Sequence, residues 1–139
     1  MVAKSLKWVL ALPVIFPPAV LALGLGDIHL NSALNAPLDA DIELIGVTPE
    51  EMATLKPKVA SRDTFTQHGL EWPAFLAGVT LKAVHTADGR DVIKVHSADA
   101  ITEPFVTLLV EVDWERGRAV HEYTVLLDPP LYTPGQPAN

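Results

Sequence analysis

Apolar and polar side chains alternate without a break over residues 38–44, which is the pattern of a strand with one face in a core. The apolar positions are Leu38, Ala40, Ile42 and Leu44, and the polar positions are Asp39, Asp41 and Glu43. Ile28 and Leu30 share one face of an earlier alternating segment, and a turn signal follows at residues 35–37. The pattern therefore predicts two strands joined by a turn.

A second hairpin is predicted across Gly89, between the alternating segments 79–86 and 90–97. A two-residue loop would mix polar and apolar side chains on each face. A three-residue loop with Gly89 in the left-handed conformation places Leu81 opposite Val95 on one apolar face. We predict this second register, because a slip of one residue would exchange the faces.

The longest apolar stripe of the chain predicts a third hairpin, which turns at Arg116-Gly117. Glu115 would then face Arg118, and Glu111 would lie opposite Glu122 on an outer face open to water. The predicted inward stripe consists of Val106, Leu108, Val110, Val112 and Trp114, facing Leu127, Val125, Tyr123, His121 and Ala119.

Two short helices are predicted between these strands. Thr48 is a helix N-cap, and Glu51 can complete a capping box with it. Pro57 ends this helix soon after it begins. Ser61 can cap a second helix, which Phe65 would anchor to the core. Six or seven short strands with a small helical insertion predict a mainly β fold, an antiparallel β-sandwich of immunoglobulin-like architecture.

The ends of the chain differ from this pattern. Residues 1–22 combine Lys4 and Lys7 with a following apolar run and the small-residue sequence Val20-Leu21-Ala22, which is typical of a secretory signal peptide. The alternative is a retained membrane anchor, but prolines interrupt the run and shorten it. We predict a signal peptide at 1–22, a β-sandwich domain at 23–130 and a proline-rich linker at 131–139.

The composition of the chain excludes several classes of function. Removing Lys4 and Lys7 leaves 8 basic against 17 acidic residues, a net charge of about −9. Nucleic-acid binding is not expected, because phosphate contacts need clustered basic side chains. The chain has no cysteine, which excludes disulfides, thiolate zinc sites and thiol catalysis.

No catalytic, cofactor or metal site is predicted. The five histidines (His29, His68, His85, His96 and His121) lack the spacing of a metal motif. Ser97, His85 and Asp91 could be drawn as a hydrolytic set, but Ser97 lacks the glycines of a nucleophile elbow. Gly24-Leu25-Gly26 lacks the third glycine of a dinucleotide loop and is interpreted as a flexible lead into the first strand.

Two features are candidates for an interaction surface. Asp39, Asp41 and Glu43 share one strand face, which is either a solvated sheet surface or an acidic docking surface. Trp72 precedes Pro73 in a predicted loop and could stack on a ligand such as a sugar ring.

Several motifs, in order along the chain, resemble the N-terminal periplasmic domain of the FimV/HubP/TspA family of bacterial cell-pole proteins. The matching segments are Leu23-Gly24-Leu25-Gly26-Asp27-Ile28, the run from Leu30 to Ala40, Ser97 with Glu103-Pro104-Phe105, Arg118, and the run from Glu122 to Pro130.

The resemblance implies a scaffold role in type IV pilus assembly, secretin multimerisation and twitching motility. It also implies export to the periplasm and a full-length protein anchored in the inner membrane at the cell pole. Peptidoglycan would be bound through a LysM module that is absent from this chain. The expected partner is a periplasmic pilus-machine protein such as a secretin.

Three functions remain in competition. The first is a non-catalytic interaction domain of such a scaffold. The alternative is a direct peptidoglycan-binding module, for which Trp72 and Tyr132 would be the stacking residues. The third is a hydrolase that uses the histidines and acids, although the sequence assembles no site from them.

Overall fold

The computed structural model of the chain describes residues 13–15 and 23–129. The predicted signal peptide lies outside these residues except for 13–15, and the predicted linker 131–139 lies outside them entirely. Within the described ranges, no helix has the length and apolar character needed to cross a membrane.

Seven strands and three short helical segments follow one another along the described chain. The strands are β1 Gly24–Leu30, β2 Pro37–Ile45, β3 Lys56–Val59, β4 Val79–His85, β5 Asp91–Ala100, β6 Phe105–Trp114 and β7 Gly117–Leu126. The helices are α1 Pro49–Thr54 and α2 Arg62–Gln67, and a 3₁₀ helix covers Ala74–Gly78.

The strands form two antiparallel sheets, which confirms the predicted immunoglobulin-like sandwich. One sheet has the order β1-β2-β5-β4 and the other has the order β3-β6-β7. Each sheet places alternate side chains against the other sheet, so the core lies between them. Its fully buried members include Leu38, Ile42, Ile93 and Val95 from the first sheet and Val106, Leu108, Val110 and Val112 from the second. This core lies wholly within 23–129, so the segment is expected to fold by itself.

The local predictions between the strands are largely confirmed. Thr48 caps α1 through a complete capping box with Glu51. The Ser61 hydroxyl accepts the Thr64 N–H at the start of α2, and Phe65 is fully buried. The hairpin of β4 and β5 has the predicted register, and Gly89 has a φ of 88°.

The β6–β7 hairpin has a different register from the prediction. Trp114 pairs with Gly117, so the turn is Glu115-Arg116 rather than Arg116-Gly117. The shift is two residues, so the inward face is unchanged. Glu111 lies opposite Val120 instead of Glu122, and it is buried rather than open to water. The observed register brings Arg118 beside Glu111 and Asp113, which stabilises both acids.

Strand β3 was missing from the prediction, which placed only helices between residues 48 and 68. Pro57 ends α1 as expected, but the chain then pairs with the edge of β6. An edge position tolerates proline, because its missing N–H can face away from the ladder.

The first strand begins at Gly24, so the interpretation of Gly24-Leu25-Gly26 as a flexible lead was wrong. The pairing of β1 with β2 shifts register between Leu25 and Ile28. A methyl group at Gly26 would lie 3.0 Å from Ile45 Cδ1 and 3.1 Å from Glu43 Cβ. The close approach of β2 therefore leaves little room for a side chain at Gly26.

We expect Gly26→Ala to lower the free energy of unfolding by about 1–3 kcal/mol, because the added methyl overpacks the contact with β2. The measurement is urea denaturation of residues 23–130. Gly24→Ala is the matched control, since its methyl would lie at an ordinary 3.6 Å from Ile45 Cβ. Equal stability of the two variants would contradict this account.

Candidate interaction surface

The outer face of the four-stranded sheet carries the predicted acidic residues. β2 lies inside this sheet, and the outward side chains of β1 and β5 flank its acids. Lys94 Nζ lies 2.7 Å from Asp41 Oδ1, and His29 Nε2 lies 3.2 Å from Glu43 Oε1. The hydrogen bond with Asp41 raises the pKa of Lys94. The three acids do face outward together, as predicted, but two of them have cationic or ionisable partners.

Asp39 is the acid that stays most available on this face. It is exposed, and within the described residues its carboxylate makes no ion pair. Its backbone N–H donates to Ser32 Oγ at 2.9 Å, which fixes the start of β2. The face is therefore a mixed-charge surface with one open carboxylate rather than a uniformly acidic patch. The pairing of β5 with β2, which brings Lys94 to Asp41, could not be predicted from the sequence.

The Trp72 side chain is less exposed than its predicted loop position suggested. It is half-buried and packs against the core. The guanidinium carbon of Arg62 lies 4.4 Å from the centre of the indole ring. This cation–π contact covers one ring face, and the core lies against the side chain elsewhere. The structure does not bring Trp72 together with the three acids of β2, which lie on the outer face of the sheet.

A second charged group lies on the outer face of the three-stranded sheet. Glu111 is only 5% exposed, and both Lys58 Nζ and Arg118 Nε lie 3.2 Å from its Oε1. Asp113 is the second acid of this group. A hydrogen bond from Arg118 lowers the pKa of Asp113, and one with Glu111 raises the pKa of Lys58. The cations compensate a nearly buried carboxylate, so this group stabilises the sheet.

The three candidate hydrolytic residues do not come together in the described structure. His85 Nδ1 lies 2.6 Å from Asp91 Oδ1, because the two residues pair directly across β4 and β5. Ser97 lies at the other end of β5, about 20 Å away at the rise of a strand. Its hydroxyl is buried, accepts the Leu38 N–H and donates to the Asp99 carbonyl. In the described part of the chain, no three His, Asp or Glu side chains converge as a metal site would require.

Tyr123 joins the two sheets through a hydrogen bond that the sequence did not reveal. Its hydroxyl donates to the Gly26 carbonyl at 2.8 Å, from β7 to β1. The neighbouring His121 is on the same face of β7 as Tyr123 but is exposed, with its ring centre 4.5 Å from that of Tyr123. It pairs with Val110 and not with Val112 as predicted. Burial, with a smaller effect of Asp27, raises the pKa of Tyr123 to about 12.

The turn between β1 and β2 is tied to the end of the last strand. Asn35 has a φ of 66°, a conformation that asparagine tolerates better than most residues. The Leu34 N–H donates to the Asp128 carbonyl at 2.9 Å, and the Asn35 N–H donates to the Ile101 carbonyl at 2.8 Å. These bonds give a physical role to two segments that carried the family resemblance.

We expect the stability of residues 23–130 to fall as the pH rises from about 10 to 12, because unfolded tyrosine ionises near 10. Folded Tyr123 keeps its proton to about 12, so its contribution is complete below pH 10 and is lost above. Tyr123→Phe should cost about 1–2 kcal/mol at pH 7 and should flatten this alkaline loss. Urea denaturation across this pH range measures both effects. An unchanged alkaline slope in the variant would contradict the assignment.

Comparison with known proteins assigns the chain to a family. The family model described as the FimV N-terminal Ig-like domain matches residues 23–130. The motility hub protein FimV of Pseudomonas aeruginosa, from strains PAO1 and UCBPP-PA14, is 44% identical over 117 residues. The match covers 84% of this chain and 13% of that protein, so the chain spans a small part of the relative's length. No solved structure matches. The chain belongs to the FimV N-terminal domain family.

Proposed function

We propose that this chain is a non-catalytic periplasmic interaction domain of a cell-pole scaffold protein that supports type IV pilus and secretin assembly and twitching motility. The observation that carries the proposal is the 44% identity to a motility hub protein over 84% of the chain. The geometry is consistent with it, because the candidate hydrolytic residues lie apart and Ser97 is committed to backbone groups.

The partner-binding surface in this proposal is the outer face of the four-stranded sheet. It combines the open carboxylate of Asp39 with the Lys94–Asp41 ion pair. Lys82 lies on the same face, next to Lys94 across the β4–β5 pairing. Mixed charges at the rim of an interface favour specificity and rapid association with a complementary partner. A periplasmic pilus-machine protein such as a secretin is the partner class that we propose.

A domain exchange tests the role in motility. We expect Pseudomonas aeruginosa FimV whose matching segment is replaced by residues 23–130 to restore twitching zones and secretin multimers to a strain that lacks FimV. FimV without the segment should fail on both readouts. Normal twitching and multimers in the strain with the segment deleted would contradict the proposal, provided that blots show equal protein levels.

A charge reversal tests the surface. Asp39→Lys in the exchanged domain should reduce secretin multimers, because it removes the open carboxylate from the sheet face. Glu71→Lys makes the same charge change at an exposed position away from β2 and should have little effect. Equal loss in both variants would indicate a general charge effect and would exclude this face as the docking surface.

Direct peptidoglycan binding is the alternative function, and the position of Trp72 supports it weakly. Arg62 already occupies one face of the indole, which leaves less surface for a sugar ring. Tyr132, the other predicted stacking residue, lies outside the described residues. We expect residues 23–139 to remain in the supernatant when purified sacculi are sedimented. Pelleting that Trp72→Ala abolishes would instead establish the domain as a wall binder.

A further inference from the structure

Among the residues that the structure describes, no strand pairs with the outer edge of β7. This strand lies at the edge of its sheet and, within the described chain, pairs with β6 alone. The Leu127 N–H donates to the Pro104 carbonyl, which continues the β6 ladder past the end of the strand. Backbone groups alternate in direction along an antiparallel pair. The backbone N–H and C=O groups of the odd-numbered residues of β7 therefore bond to β6. Those of the even-numbered residues from Arg118 to Leu126 point away from β6, toward the open edge of the sheet.

The other three sheet edges carry features that discourage strand addition. β1 has an irregular register between Leu25 and Ile28. β3 is only four residues long and contains Pro57 between two lysines. β4 has Lys82 at its centre. β7 has ten residues without proline, lysine or a register shift, so its edge is the least protected in the described structure.

The charges along this edge are complementary when two copies of β7 pair in antiparallel order around Val120. Arg118 lies two residues before Val120 and Glu122 lies two residues after it, and both side chains are exposed. The contacts of Arg118 to Glu111 and Asp113 use Nε, and the side chain remains 62% exposed. Val120 itself is an exposed apolar residue at 38%. Two such strands in antiparallel order would bring opposite charges together at both ends of a short apolar centre.

We propose that a second copy of this chain binds along β7 in antiparallel order, with a two-fold axis at Val120. Arg118 of each copy then lies opposite Glu122 of the other, and the two three-stranded sheets become one six-stranded sheet. Other registers are less favourable: centring on Glu122 would oppose two carboxylates, and centring on His121 would place Arg118 opposite Thr124. Like charges directly opposite each other destabilise a strand pair.

The dimer involves the edge of one sheet and leaves the outer face of the other sheet free. It is therefore independent of the function proposed for Asp39. The paired segment is short, and small interfaces form weak, transient complexes. We therefore expect association that depends on protein concentration.

Sedimentation equilibrium of residues 23–130 over a concentration series tests the proposal. The weight-average mass should rise from that of one chain toward that of two, without larger species, because pairing consumes the free edge. Glu122→Lys should weaken the dimer by at least about tenfold, because two attractive pairs become repulsive. Glu71→Lys is the matched control and should dimerise like the wild type. A wild-type chain that stays monomeric at all concentrations overturns the proposal.

Charge exchange between copies tests the register. Glu122→Lys places cations at both positions, and Arg118→Glu places acids at both. Neither variant should dimerise with itself, but an equimolar mixture should form a heterodimer. Circular dichroism must show that Arg118→Glu is folded, because the substitution also removes a partner of Glu111. If the folded variants mix without gain in mass, the register is wrong.

A backbone variant tests the edge without changing charge. Val120→Pro removes an N–H that points away from β6, so the fold should persist while the dimer is lost. Val120→Ala keeps that N–H and should retain most of the dimer. Dimerisation of a folded Val120→Pro chain at wild-type strength would place the contact elsewhere and overturn the proposal. Binding of a strand from a different protein by a monomeric chain would overturn it as well.

Discussion

The packing of the two sheets against each other is the interaction on which the rest of this structure depends. The chain has no cysteine, so no covalent bond holds the sheets together. Alternate side chains of β2 and β5 meet those of β6 in a core from which water is excluded. Burial of apolar surface on this scale is the main favourable term in folding. The helix caps, turns and surface charges add to the stability of a structure whose strand positions are set by this packing.

Polar groups at the margin of the core determine which strands can approach closely. The Tyr123 hydroxyl reaches the Gly26 carbonyl across the two sheets, and the missing side chain of Gly26 lets β1 lie against β2. Glu111 is nearly buried, yet two cations compensate its charge. The charged groups near the core thus stabilise the fold, while the groups available to partners lie on outer faces and edges.

The sequence predicted the sandwich, the β4–β5 register and both helix caps, because alternation and capping are local signals. Prediction from the sequence failed where the outcome depended on contacts between residues far apart in the chain. A two-residue shift of the β6–β7 hairpin keeps every side chain on its face, so the alternation of Val106 and Leu108 cannot distinguish the registers. The ion pair of Asp41 with Lys94 could not be predicted without knowing that β2 pairs with β5. The covering of Trp72 by Arg62 depended on how α2 packs.

The hydrogen bond between the β1–β2 turn and Asp128 also determines where the two ends of the domain lie. β1 starts beside Ile45 and runs toward that turn, and the Leu34 N–H meets the Asp128 carbonyl there. Residues 23 and 128 therefore lie at opposite ends of the sandwich, separated by roughly the 20–25 Å of one strand. Removal of the predicted signal peptide would therefore place the new N-terminus at the end of the sandwich opposite to Asp128, facing away from the chain that follows Asp128.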